Sequence, residues 1–295
     1  MADPTPSSFT AACVQLRTGR DVAANIEAAA ALIGTAADQG ADFIATPETT
    51  SLMELDRVLL FEKTTAEADD PALACFTGLA RDRGVWLLIG SLLIKIAPDR
   101  LVNRSFLIGP DGGIAARYDK IHMFDVDLPG GESYRESKNY QPGGTAMAAD
   151  LPWGRLGLSI CYDLRFAYLY RALAQAGARF LTVPSAFTQQ TGQAHWHILL
   201  RARAIETGCF VIAPAQGGRH ETGRETFGHS LIVAPWGDIL AEGGTAPGVI
   251  LAEINPAYVD EARARVPSLR HDRAIRGVSG EAPFGESLVP AQETT

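Results

Sequence analysis

Strand and helix alternate along this sequence in one order and then in that order again, which leaves few architectures open. Phe9 to Arg17 reads as a strand, Asp21 to Gln39 as an alanine-rich helix running up to Gly40, and Asp42 to Thr46 as a short buried strand that stops at Pro47-Glu48. Pro71 to Arg83 follows as a helix with proline in its first turn, and Val85 to Ser91 as a strand. Leu101 to Ile108 and Ile114 to Tyr118 are strands about the turn Asp111-Gly112-Gly113. The second half mirrors the first, with strand Arg155 to Ile160, helix Phe166 to Gln175 stopped by Gly177, strand Arg179 to Pro184 and helix Gln193 to Thr207 ended by Gly208. Strands Cys209 to Ala213, Ser230 to Ala234, Ile239 to Glu242 and Val249 to Ile254 close the pattern. No linker divides the halves, so residues 9–276 read as a single α/β domain of two related sheets, each covered by helices. Residues 1–8 read as a disordered leader and 277–295 as a mobile C-terminal tail. The irregular, glycine-rich stretch from Asp125 to Gly144 is expected to edge a pocket, because long irregular segments in a compact domain are usually functional.

Composition narrows the function classes. A chain of 295 residues buries a substantial core without covalent staples. Its four cysteines, Cys13, Cys75, Cys161 and Cys209, are scattered without a C-x-x-C pair, so neither a disulfide framework nor a zinc knuckle is indicated and a reducing cytoplasm fits. The first eight residues carry an acid and two prolines where a signal peptide would have positive charge and then an apolar stretch. No run approaches the roughly 18 apolar residues of a membrane span. With a net charge of −8 and no long basic block, nucleic acid is not an expected partner and a small molecule is. The densest basic spots, Arg201-Ala202-Arg203 and Arg270 to Arg276, read as ion pairs on a helix face or tail.

Cys161 ends the apolar run Gly157-Leu158-Ser159-Ile160 and precedes a helix-starting segment, Tyr162 to Phe166. A thiol at such a strand-to-helix turn is lifted from the sheet toward free backbone N–H groups, an arrangement expected to lower its pKa and favour thiolate. The competing reading is a small buried hydrophobe. Glu48 follows Pro47 at the carboxyl end of a strand, where α/β sites are built, although a lone loop glutamate is more often a surface acid. Lys120 lies just past another strand and could equally be an exposed cation. Together, three strand ends deliver an acid, a cation and a thiol, a set able to run acyl transfer without histidine. Of the six histidines, His195 and His197 sit at i and i+2 on a helix start and face different ways, a poor chelating pair, so no metal site is expected. His122 and His229 read as packing or hydrogen-bonding residues, and Cys13, Cys75 and Cys209 as core fillers.

The words Thr46-Pro47-Glu48, Tyr118-Asp119-Lys120-Ile121-His122-Met123-Phe124-Asp125 and Gly157 to Phe166 resemble, in order, the three catalytic motifs of the nitrilase superfamily of carbon-nitrogen hydrolases. Similarity continues through Ala194-His195-Trp196, Arg201 to Glu206, Gly228-His229-Ser230 and Pro235-Trp236-Gly237. The resemblance implies a four-layer αββα sandwich, an amidase acting on linear amides without a cofactor, and pairing through helices into a homodimer or larger homo-oligomer. It assigns Glu48 as general base, Lys120 as oxyanion stabiliser, Cys161 as nucleophile and Glu136 as the second glutamate that holds the lysine charged and oriented. A thioester mechanism on these residues would use the Tyr162 backbone N–H as a further oxyanion donor, and would have Glu48 in a dry pocket with its pKa drawn upward. Arg165, four residues after the nucleophile, could clamp a substrate carboxylate or make a structural ion pair.

Within the superfamily, Pro184-Ser185-Ala186-Phe187, Arg201 to Gly208 and Pro214 to His220 look most like the deaminated-glutathione amidase branch, whose relative is the ω-amidase branch acting on 2-oxoglutaramate and 2-oxosuccinamate. A non-catalytic small-molecule binder on the same fold is the reading from a different class. Two departures stand out: Ala167-Tyr168 where Pro-Glu often follows Arg-Phe, and His197 where Glu often follows His-Trp.

Overall fold

A computed structural model describes residues 8–128 and 131–273. The expected tail, and the expected leader apart from Ser8, lie outside the described residues.

The chain builds two six-stranded sheets with equivalent plans. The first half supplies β1 (Phe9–Gln15), helix α1 (Val22–Asp38), β2 (Phe43–Ala45), the short α2 (Arg57–Lys63), α3 (Pro71–Arg83), β3 (Trp86–Ala97), β4 (Arg100–Ile108) and β5 (Ile114–Asp119). A small hairpin, β6 (Asp125–Asp127) with β7 (Ser133–Arg135), leads into the second half. There β8 (Met147–Leu151), β9 (Gly154–Leu158), α4 (Ala167–Gln175), β10 (Ala178–Thr182), α5 (Gln189–Thr207) and β11 (Phe210–Ala213) follow. After a second hairpin, β12 (Gly217–Arg219) with β13 (Glu225–Phe227), come β14 (Leu231–Val233), β15 (Ile239–Glu242), β16 (Gly248–Ile254) and α6 (Ala257–Arg265). The first sheet runs β16-β1-β2-β3-β4-β5 and the second β15-β14-β11-β10-β9-β8. In each, three consecutive strands are parallel, β1-β2-β3 and β9-β10-β11, with antiparallel strands outside them. The repeat read in the sequence is therefore a repeat of topology.

The period-two alternation of strands sorts side chains into layers. On β1, Ala11 and Cys13 enter the core that includes the inter-sheet layer, while Ala12 and Val14 join Ile33, Phe76 and Ala80 beneath α1 and α3. On the far side Leu169, Leu173, Trp196 and Leu200 of α4 and α5 pack against the second sheet. The order is helix, sheet, sheet, helix: the four-layer αββα sandwich. Among the described residues no helix is long and apolar enough to cross a membrane.

Three local expectations are corrected. The strand expected to stop at Ser91 continues to Ala97, because Gly90-Ser91 mark a register irregularity in the β3–β4 ladder rather than an end. Gly90 permits close approach, since a Cβ there would lie 2.0 Å from the Thr46 carbonyl oxygen. Helix α5 begins at Gln189 rather than Gln193, because Thr188 caps it, its Oγ1 accepting from Thr191 N at 3.3 Å. Cys75 is exposed rather than core-filling, since α3 turns Ala72, Leu73, Phe76 and Ala80 inward.

Candidate active site

The carboxyl ends of parallel strands from both sheets open on one cavity of about 350 Å³, and Glu48, Lys120, Glu136 and Cys161 all line it. Glu48 emerges just past β2 on a tightly held turn. Thr49 has a φ of 55°, its amide donates to Ser91 Oγ at 2.8 Å, and Gln216 Nε2 donates to the Glu48 carbonyl at 3.0 Å. Lys120 leaves β5 with Tyr118 on one side and His122 on the other, and both reach Asp163 in the turn after Cys161. Tyr118 donates to Asp163 Oδ2 at 2.7 Å, His122 Nδ1 lies 2.7 Å from Oδ1, and Ile160 N donates to Oδ2 at 2.9 Å. Buried Asp163 thus ties the Lys120 strand to the Cys161 turn.

Lys120 Nζ donates to Glu48 Oε1 at 2.8 Å and to Glu136 Oε1 and Oε2 at 3.0 and 2.8 Å. These side chains are 2%, 6% and 12% exposed for Lys120, Glu48 and Glu136, so the cluster is nearly dry. Glu48 Oε2 accepts from Ala186 N at 3.0 Å, and the Cys161 thiol faces the same carboxylate closely enough to feel its charge. Cys161 itself has a φ of 50°, a left-handed conformation uncommon for a side-chain-bearing residue and typical of strain kept at a working site. Among the described residues no acceptor engages the Tyr162 amide, and the Arg165 guanidinium meets no carboxylate, only His195 Nδ1 at 3.3 Å and the rings of Tyr162 and Phe187. The sequence-named residues Glu48, Lys120, Glu136, Cys161, Tyr162 and Arg165 therefore line one cavity.

The family model for carbon-nitrogen hydrolases matches residues 10–264. The chain belongs to the carbon-nitrogen hydrolase family. A relative named deaminated glutathione amidase, from Synechocystis sp. (strain PCC 6803 / GT-S), is 41% identical over 89% of this chain and 97% of its own. Among solved structures, the C. elegans NitFhit protein superposes with a TM-score of 0.85 at 36% identity, covering 91% of this chain and 66% of that one. Saccharomyces cerevisiae Nit3, described as a member of branch 10 of the nitrilase superfamily, gives 0.80 at 28% identity, over 90% and 97%.

Two electrostatic expectations for this carbon-nitrogen hydrolase are overturned. The Cys161 thiol is pushed up, not down, by burial and then by the Glu48 charge, with Lys120 offsetting only part of it. The reason is local: Cys161–Arg165 is a 3-10 turn, α4 starts only at Ala167, and the carboxylate rather than a helix terminus is the thiol's neighbour. Glu48 is held below the usual carboxylate range, because burial, which raises it, is outweighed by the charge and hydrogen bond of Lys120 and by the facing thiol. Lys120 stays well above its ordinary value, since the charges of Glu136 and Glu48 overcome its burial. At rest the hydrolase holds a neutral thiol beside a carboxylate and an ammonium.

Sequence reasoning missed three groups. Asn103 bridges both glutamates, its Nδ2 donating to Glu48 Oε1 at 2.9 Å and Glu136 Oε1 at 3.3 Å, and a lone amide inside strand β4 was the available signal. Arg224 enters the cavity wall from the turn between β12 and β13. Elsewhere, His197 Nε2 and His229 Nδ1 both lie on Glu242 Oε1, at 2.9 and 2.8 Å, a cluster in which the three groups satisfy one another.

Proposed function

We propose that this carbon-nitrogen hydrolase is an amidase that splits deaminated glutathione into 2-oxoglutarate and cysteinylglycine through a thioester on Cys161. Relatives carrying the name deaminated glutathione amidase support the substrate, and one geometric observation carries the chemistry: thiol, carboxylate and ammonium converge in a nearly dry cavity.

The steps follow from what each group can hold. Cys161 Sγ attacks the amide carbonyl carbon while its proton passes to Glu48, whose carboxylate is already ionised and faces the thiol. Because the thiol is neutral at rest, proton transfer accompanies attack instead of preceding it. Negative charge moves to the carbonyl oxygen, where the Lys120 ammonium and the Tyr162 N–H stabilise it, each well-placed donor contributing on the order of 3 kcal/mol. Glu48 returns the proton to the nitrogen, the C–N bond breaks and the amine leaves. Water then attacks the thioester, gives its proton to Glu48, and the departing sulfur takes that proton back. Glu136 and Asn103 keep Lys120 and Glu48 in register throughout. A cytoplasmic location belongs to the same reading and is supported by four cysteines that all carry free thiols.

The test is a side-by-side measurement of kcat/KM on deaminated glutathione and 2-oxoglutaramate. The value for deaminated glutathione is expected to be higher, and a clear preference for 2-oxoglutaramate would replace this reading with ω-amidase activity.

A further inference from the structure

The cavity contains more positive charge than the hydrolytic chemistry uses. Glu48, Lys120 and Glu136 neutralise one another's demands, yet two guanidinium groups in the same wall, Arg165 and Arg224, have no carboxylate partner among the described residues. Several other sheltered arginines do: Arg104 meets Asp119 at 2.6 Å, Arg179 meets Asp260 at 2.6 Å and Arg203 meets Glu206 at 2.8 Å, while Arg263, outside the cavity, places its donors on the carbonyls of Thr207 and Ala178. Arg224 is the more conspicuous of the two. Its Nη2 donates to the Ala186 carbonyl at 2.6 Å, but among the described residues Nη1 finds only the Met53 thioether at 3.8 Å and the buried Nε has no acceptor. The guanidinium lies over the Tyr134 ring, 5.2 Å from its centroid. A thioether is a weak acceptor, and a buried N–H left without one is destabilising, so the protein tolerates here an arginine short of oxygen.

We infer that Arg224 binds the terminal carboxylate of the leaving amine, forming a second anion subsite beside the one that receives the acyl half. The inference rests on the reading of this site as a deaminated glutathione amidase. That substrate carries two carboxylates, one on the α-keto acid and one on the glycine of the departing dipeptide, and the cavity offers two unpaired guanidiniums. Position decides between them. Arg224 is anchored on the carbonyl of Ala186, the residue whose amide donates to Glu48 Oε2, and its charge is felt at the Glu48 carboxyl. Glu48 hands its proton to the leaving nitrogen, so the leaving group extends on the Glu48 side, toward Arg224. The acyl half, bonded to Cys161 Sγ, is then left to Arg165, which ends the turn that begins at Cys161. Planar Arg is suited to a carboxylate, and Tyr134 supports its face while Nη1, held only by the Met53 thioether, keeps donors for a ligand. An ammonia-releasing amide such as 2-oxoglutaramate has nothing to offer this subsite.

The experiment is a cycle between enzyme and substrate. Arg224→Met is compared with the unaltered enzyme on deaminated glutathione, on its analogue with a carboxamide in place of the glycine carboxylate, and on 2-oxoglutaramate. Removing the guanidinium should lower kcat/KM for deaminated glutathione about 10–100-fold more than for 2-oxoglutaramate, mainly through KM. The carboxamide analogue should lose a similar factor on the unaltered enzyme, and the two losses should not add. Arg224→Lys should recover part of the deficit, as charge without the planar fork. Equal losses on all three substrates, or additive losses in the cycle, overturn the inference while leaving the amidase reading intact. An unaltered enzyme inactive on deaminated glutathione but active on other amides overturns the reading itself, and the subsite with it.

Discussion

The charged groups lining the cavity fall into two sets that treat charge in opposite ways. In the paired set Lys120 is clasped between Glu48 and Glu136 at 2.8 Å, with Asn103 joining the two carboxylates, and little is exposed to solvent. In the open set Arg165 and Arg224 rest on aromatic faces and meet no carboxylate among the described residues. The paired set is fixed before substrate arrives: ionisation states are set by neighbours, and the protein bears the desolvation itself. The open set lacks a negative charge that a ligand would supply. On the proposed function, reaction chemistry is built from charges that satisfy one another, and recognition from charges left wanting.

The paired set is where disruption should be largest. Cys161→Ala is expected to lower turnover by at least about 10⁴-fold, because the covalent route disappears with the sulfur. Melting should change by no more than about 1 kcal/mol, the site being small and the turn retained. In the unaltered enzyme, mass spectrometry after a substrate quench should find an acyl adduct on Cys161 and on none of Cys13, Cys75 or Cys209. Residual turnover well above that limit would remove the thiol from the chemistry and turn the comparison around.

Lys120→Met comes next. Deleting the cation leaves two buried carboxylates facing one another, a loss of about 3–5 kcal/mol at pH 7. The pH dependence has a definite sign. In the unaltered protein Glu48 titrates below its ordinary value, so its contribution is complete above about pH 4.3 and is lost only as the pH falls through the lowered folded value. In the variant, burial acts without Lys120 to oppose it, the Glu48 carboxyl titrates at higher pH, and its protonation relieves the repulsion. The stability gap between the two proteins should therefore narrow from pH 7 to pH 5, as chemical denaturation at each pH would show. A gap constant over that interval would mean the lysine matters for packing and not for charge.

How much of this was legible beforehand follows the same division. The alternation of strands and helices revealed both halves of the sandwich, and three strand-end words located Glu48, Lys120 and Cys161, because backbone pattern and short motifs are local properties. Glu136 came only from the resemblance, since one acid in an irregular stretch has no spacing to mark it. Asn103 and Arg224 escaped because their roles depend on which distant groups they meet: Asn103 is 55 residues from Glu48 and 33 from Glu136. The charge states were misjudged for a related reason. A motif tells which residue follows a strand, but burial and the direction of a neighbouring carboxylate exist only after the two sheets have packed.

The smallest effect, and the sharpest on that misjudgement, is the titration of the nucleophile. Burial comes first among the causes that raise the Cys161 thiol, the Glu48 charge second, and Lys120 opposes both. Glu48→Gln removes the second cause, leaves the first and keeps the ammonium, which Glu136 still holds at 2.8 Å. The thiol should then ionise at lower pH than in the unaltered protein, although by only part of the full displacement, while amide hydrolysis is lost with the base. The rate of iodoacetamide alkylation at Cys161, followed against pH, separates the two consequences in one experiment. For the unaltered protein its rise should begin above the ordinary thiol range of about 8.5, and for the variant it should begin earlier. If the variant's curve moves to higher pH instead, Glu48 is not the anion that restrains the thiol, and the paired set is wired differently from the way its hydrogen bonds indicate.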